Sequence, residues 1–193
     1  MADRVSANIT IGGTVTPEQF EILTDLIASH GLSTEWDGPK FAPDQRIEGE
    51  SLRLYAHETP WGMFDDLEQF CCDQHIAYIR WSGACPGSFG AERIVFDGKT
   101  GPLNYSVDDD DHILLHEQTI SQLGSTRAIR AYLKPASFEV PPLAIVEVLP
   151  IHVCSTVDLV RNIPYIMRAN GGLHGRYTRR IQHDHGQGSD DRA

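Results

Sequence analysis

The feature that most constrains this chain is an internal echo. Phe20, Leu23 and Leu26 recur at the same helical spacing as Phe64, Leu67 and Phe70, and a Thr-Pro pair stands before each set, Thr16-Pro17 and Thr59-Pro60. Short apolar stretches flank both helices: Ala7–Gly12, Leu32–Trp36, Leu52–His57 and Ile76–Trp81. Alternating or β-rich runs of that length read as strands, and apolar residues three and four apart read as one helical face. Two strand–helix–strand units in tandem predict a ferredoxin-like βαββαβ arrangement, an antiparallel sheet with both helices on one face. The fold class expected is therefore α+β.

Local chemistry supports the first unit. Thr16 is placed to cap the helix, Pro17 suits its first position and Gln19 completes a capping box. Gly31 is placed to stop it. Beyond the second unit, Glu92–Phe96 and His112–Leu115 are expected to extend the sheet, and Thr119–Leu133 to form a third helix through Ile120, Leu123, Ile129 and Leu133. Pro135–Pro150 is punctuated by prolines, each of which pushes its predecessor out of the helical region. The organisation predicted is an acidic α+β domain over 1–134, a Pro-punctuated extension over 135–170, and a disordered tail over 171–193, where apolar periodicity is almost lost.

Charge is divided along the chain. Residues 1–150 hold 10 Lys/Arg and 23 Asp/Glu, whereas residues 151–193 hold 6 and 4. A formal net charge of −11 over 193 residues argues against direct grip on phosphate backbones, so no direct nucleic-acid contact is expected. No apolar run reaches the ~20 residues of a membrane helix, and no membrane partner is expected. The first ten residues carry Asp3 and lack an apolar core, so they do not read as a signal peptide. Four cysteines, two of them adjacent, do not make a disulfide framework, and a reducing cytoplasm is the expected compartment.

The stretches ANITIGGTVTPEQFEIL, GLSTEWDGPKF, LRLYAHETPWGMFDDLEQFC and RWSGACPGSFGAERIVFDG resemble a group of small acidic proteins carried on proteobacterial plasmids, prophages and integrative elements. The resemblance covers roughly residues 5–147 and involves long stretches with no catalytic signature. It implies a mobile-element context and a bacterial cytoplasm, and no site residue is carried over from it.

Two places stand out for chemistry. The loop Ser82–Ala91 (SGACPGSFGA) combines glycines and small residues that let backbone amides approach a ligand, with Arg80-Trp81 before it and Arg93 after it. It matches neither a Walker loop nor a dinucleotide fingerprint. The plain alternative is a connection between strands. Cys85 lies inside the loop, the one thiol with arginines nearby, and His57 beside Glu58 could supply a base. No nucleophile elbow is present, so catalysis has no motif behind it. The second place is the run Asp108, Asp109, Asp110 and Asp111. It lacks the alternate oxygens and glycine of a calcium loop, so it reads as a solvated turn or as part of an acidic patch read by a partner.

Other histidine and cysteine pairs carry less. His112 and His116 sit four apart in a strand-like stretch, where that spacing separates them by about 13 Å, too far to share a metal. Cys71 reads as a buried small residue despite sharing a helical face with His75. His174, His183 and His185 fall in the tail. No metal and no cofactor is expected. Trp36, Trp61 and Trp81 lie at strand ends or helix starts and could anchor an interface or simply edge the core.

Two functions of different kinds follow. The first is a non-enzymatic acidic interaction protein of a mobile genetic element, an antagonist of a host nucleic-acid-binding or defence protein of anti-restriction or anti-CRISPR type. Its partner would be a basic nucleic-acid-binding protein met through Asp108–Asp111, since carboxylates can occupy a groove built for phosphates. The alternative is a small-ligand-binding or catalytic α+β domain using the loop 82–91 with Arg80, Trp81, Cys85, Arg93 and His57.

Overall fold

A computed structural model describes residues 3–147. The chain folds as α+β, with an antiparallel sheet at its centre. Strand β1 (Arg4–Val15) pairs on one side with β2 (Leu52–Pro60), and on the other with β3 (Ala77–Ser82). Strands β4 (Glu92–Phe96) and β5 (Leu103–Ser106) follow, giving the order β2-β1-β3-β4-β5. Alternation along β1 sets the two faces: Val5, Ala7, Ile9 and Ile11 are buried, and Ser6, Asn8 and Thr10 point the other way, half-exposed.

Helices α1 (Pro17–His30) and α2 (Asp65–Asp73) cover the first face. Leu23, Ile27, Leu67 and Cys71 pack there against Ile9, Ile11, Leu54 and Tyr78. The predicted start of α1 is present in full. Thr16 Oγ1 accepts from the Gln19 amide at 3.1 Å, the Gln19 side chain accepts from the Thr16 amide at 2.8 Å, and Gly31 closes the helix at φ 66°.

The echo does not extend to the second helix start. Thr59 and Pro60 end strand β2, and the chain turns through Trp61 and Gly62, both at positive φ, before α2 begins at Asp65. Gly62 is required there, because a Cβ would meet the Ser82 Cβ at 2.5 Å. Asp65, Asp66 and Glu68 then occupy the first turn of α2, where carboxylates oppose the helix dipole.

The expected strand Leu32–Trp36 is not formed. Ser33 alone makes isolated bridges, to Tyr55 at the outer edge of β2 and to Lys40. The polar residues beyond it turn away through Asp37 at φ 28°. His112–Leu115 is likewise no strand: a single bridge joins Ile113 to Val107, and Leu103–Ser106 takes the sheet edge instead. The long third helix is two, α3 (Glu117–Leu123) and α4 (Thr126–Leu133), parted by Gly124 at φ 66° and Ser125, whose hydroxyl caps α4.

A second, smaller core lies on the opposite face. Ile79, Val95 and Tyr105 project from it and meet Tyr132, Ala136 and Phe138. The Tyr105 hydroxyl donates to the Tyr132 carbonyl at 3.2 Å. Residues 135–147, from the stretch read as an extension, thus pack on the sheet. Strand β6 (Leu143–Ile145) runs parallel to the end of β1, and Leu143 is fully buried. The chain crosses β1 so closely that a Cβ on Gly12 would fall 1.8 Å from the Pro141 carbonyl oxygen. The expected tail over 171–193, and the extension beyond 147, lie outside the described residues.

Candidate functional site

The five residues proposed around the glycine-rich loop are not brought together. Trp81 pairs with Arg93 across β3 and β4, and Arg80 pairs with Ile94, so Arg80 and Arg93 lie on opposite faces of the sheet. Arg80 points under α2 and is 2% exposed. Its guanidinium faces Glu68 Oε1 at 2.8 Å and Glu92 Oε1 at 2.5 Å, and donates to the Gly62 carbonyl at 2.7 Å and the Ser82 hydroxyl at 3.0 Å. An arginine so enclosed ties α2, β3, β4 and the turn after β2 together, with no donor turned outward to a ligand. The loop itself is a tight turn, with Cys85 bridged to Phe89. His57 lies on β2 beside Trp36, its Nε2 3.2 Å from Asp37.

The acidic run is likewise engaged inside the fold. Asp111 receives the Arg93 guanidinium through both carboxylate oxygens, and Arg93 also donates to the Ala136 carbonyl at 3.2 Å. Asp108 Oδ1 accepts from the amides of Asp110 and His112 at 3.0 and 2.8 Å. The His112 amide heads the contacts that hold the Asp108 carboxyl below the usual carboxylate value. The indole of Trp81 reaches the Asp108 carbonyl at 3.4 Å. Asp109 and Asp110 remain exposed. Asp108, Asp110 and His112 each offer a ligand atom within 4.8 Å of the others, a grouping accounted for by the turn's own amide and imidazole contacts. The structure therefore joins Trp81 and Arg93 to the Asp108–Asp111 turn, two residues from one expected site and four from the other.

The tryptophans each have a separate partner. Trp36 packs, with its ring tilted, against Tyr55 and His57 at 4.8 and 4.9 Å between ring centres, and Trp61 packs against Phe89 at 6.0 Å. A shallow cavity of about 290 Å³ opens beside Trp36, Tyr55 and His57.

Two surfaces were missed. The outer layer formed by α1 and α2 carries Glu18, Glu21, Asp25, Asp65, Asp66 and Asp73 exposed, and neither helix contains a lysine or arginine. Among the described residues, Asp66 of that layer lies against the His30 imidazole and Glu68 turns inward to Arg80. The sequence carries that signal, since both expected helical segments contain several acids and no lysine or arginine. The second is a cleft of about 440 Å³ on the uncovered part of the opposite face, between the sheet and residues 138–140. It unites residues far apart in sequence, and no local motif announces it.

Among the described residues no helix is long and apolar enough to cross a membrane. Comparison with protein-family models, with curated proteins and with solved structures returns no match.

Proposed function

We propose that the chain is a non-enzymatic binding protein that meets a basic partner through the outer surface of α1 and α2, and that it serves a mobile genetic element as an antagonist of a nucleic-acid-binding or defence protein. One observation carries the reading: six exposed carboxylates share that layer, and neither helix bears a lysine or arginine. Such a layer favours a basic groove by the complementarity that steers phosphates into it, and like charge disfavours acidic competitors. The contact face moves from Asp108–Asp111 to the helices, because Asp108 and Asp111 are engaged by the turn and by Arg93. We also read the sheet as ferredoxin-like, its second strand reduced to the bridge at Ser33. The support is that Ser33 lies antiparallel at the outer edge of β2, where that strand belongs.

The test is capture from a bacterial lysate with the full chain, followed by binding of the purified captured protein. The helix-face variant Glu21→Lys/Asp25→Lys/Asp65→Lys should lose a basic partner that the wild type holds at low salt and releases at high salt. Duplex DNA should compete with the wild type, and Asp109→Asn/Asp110→Asn should bind as the wild type does. A captured protein indifferent to the helix-face changes, or to DNA, would refute the reading.

A further inference from the structure

The cleft on the second face of the sheet has the makings of a small-molecule site, independent of the helical layer. Its floor is two cross-strand rows. Thr10 of β1 stands between Arg53 of β2 and Ile79 of β3, and Asn8 stands beside Tyr55 of β2. The segment leaving the turn Pro135–Ser137 forms the roof and brings Glu139 to the cleft. At about 440 Å³ the space is within the range of sites for small ligands.

Four of its polar side chains are unused. Among the described residues, the side chains of Asn8, Thr10, Arg53 and Tyr55 have no hydrogen-bond or ion-pair partner, although all four converge on one concavity. Four unmatched polar side chains around a cavity are an incomplete hydrogen-bond set, which a ligand can complete.

The charges narrow the ligand class. Arg93 also lines the cleft, but Asp111 engages it bidentately and offsets its charge. What remains is Arg53 on the floor and Glu139 on the roof, opposite charges in one cleft that do not pair with each other. A simple anion would suit Arg53 and oppose Glu139, and a simple cation the reverse. A molecule carrying both charges matches both. We infer that this cleft binds a small zwitterion, its oxyanion on the Arg53 guanidinium and its ammonium against Glu139, with Asn8, Thr10 and Tyr55 offering hydrogen bonds between them. The guanidinium fork suits a carboxylate or a phosphate equally in kind, so an amino acid and a phosphorylated amine share the required chemistry.

Calorimetry on the full chain distinguishes these. The probes are the standard L-amino acids taken singly and O-phosphoethanolamine, with acetate, inorganic phosphate and ethylammonium as singly functional controls. At least one zwitterion should bind, and every control should bind at least ~10-fold more weakly, the size of a lost charge-assisted contact. Binding among the amino acids assigns a carboxylate to Arg53, and binding of O-phosphoethanolamine alone assigns a phosphate. Arg53→Gln and Glu139→Gln, both at exposed positions, should each weaken binding ~10-fold or more without lowering the melting temperature, and Arg4→Gln should leave it unchanged. The inference is overturned if no zwitterion binds, if binding survives both substitutions, or if phosphate or acetate binds as tightly and Glu139→Gln has no effect.

Discussion

Replacing Arg80 with methionine tests the central claim about the sheet, that this arginine is structural. Methionine keeps an unbranched stem in the space beneath α2 and removes the charge and every donor. Glu68 and Glu92 then lose the cation between them, and the Gly62 carbonyl and Ser82 hydroxyl lose their donor. Breaking one partner out of a buried ion pair costs ~3–5 kcal/mol. The two carboxylates are 15% and 27% exposed, so water relieves part of that and the low end applies, ~3 kcal/mol. Against the ~5–15 kcal/mol that holds an ordinary domain together this is a large fraction, and for a chain of this size it lowers Tm by ~6–12 °C. Urea unfolding followed by tryptophan fluorescence reads it as a lower midpoint at unchanged slope. Adding Glu68→Gln and Glu92→Gln to Arg80→Met should return part of the loss, because the unpaired charges are then gone. A single variant within ~1 kcal/mol of wild type would refute the reasoning, since that is the worth of a solvated surface pair.

Other outcomes follow from the same structure. Gly12→Ala should cost ~1–3 kcal/mol or more by chemical denaturation, because its Cβ would meet the Pro141 carbonyl oxygen at 1.8 Å and the backbone must move; unchanged stability would mean that β6 does not rest on β1. In a Cys154→Ser background, native alkylation should reach half-buried Cys85 first and spare Cys71, whose thiol burial pushes far above the usual range; equal rates would contradict the burial of α2. The Asp97 carboxyl accepts from the Thr100 and Lys99 amides, which hold it below the ordinary value of 3.8. A carboxyl lowered by folding adds stability above its unfolded value and loses it as pH falls through the lowered folded one. NMR titration of the native chain should therefore find Asp97 more than half ionised at pH 3.8, and Asp97→Asn should narrow the stability difference between pH 6 and acid; a midpoint at or above 3.8 would break the assignment.

The parts of the fold legible in the sequence are those fixed by local chemistry. Thr16, Pro17, Gln19 and Gly31 act within a few residues of one another, and each does what its type predicts. The alternation of β1 was equally clear, because one residue in two must be apolar where one face is buried. Thr59-Pro60 misled because a proline that opens a helix can equally end a strand, and only the long-range pairing of Thr59 with Val5 decides which. Leu32–Trp36 and His112–Leu115 carry strand-like residues, yet a strand needs a run of partners, and each found one or two isolated bridges. Strand β6 was invisible for the converse reason: three residues after two prolines pair with Gly13, Thr14 and Val15 far away in sequence, an approach that the bare backbone of Gly12 leaves room for.

The site was less legible because it depends on which face a side chain occupies. Arg80 and Arg93 look like two flanks of one loop when read along the chain. The register places Arg93 opposite Trp81 and one residue off Arg80, and in a sheet one residue is the difference between two faces. One arginine is thereby enclosed with Glu68 and Glu92, and the other is held by Asp111 at the edge of the cleft. The same register decides what the uncovered face presents, since Thr10 opposite Arg53 and Asn8 opposite Tyr55 are neighbours only because β1 and β2 pair in that frame. A shift of one residue would turn Arg53 and Tyr55 inward against the core and bring Leu52 and Leu54 out. Burial of those leucines therefore holds Arg53 in the cleft, and the packing of one face positions the chemistry of the other.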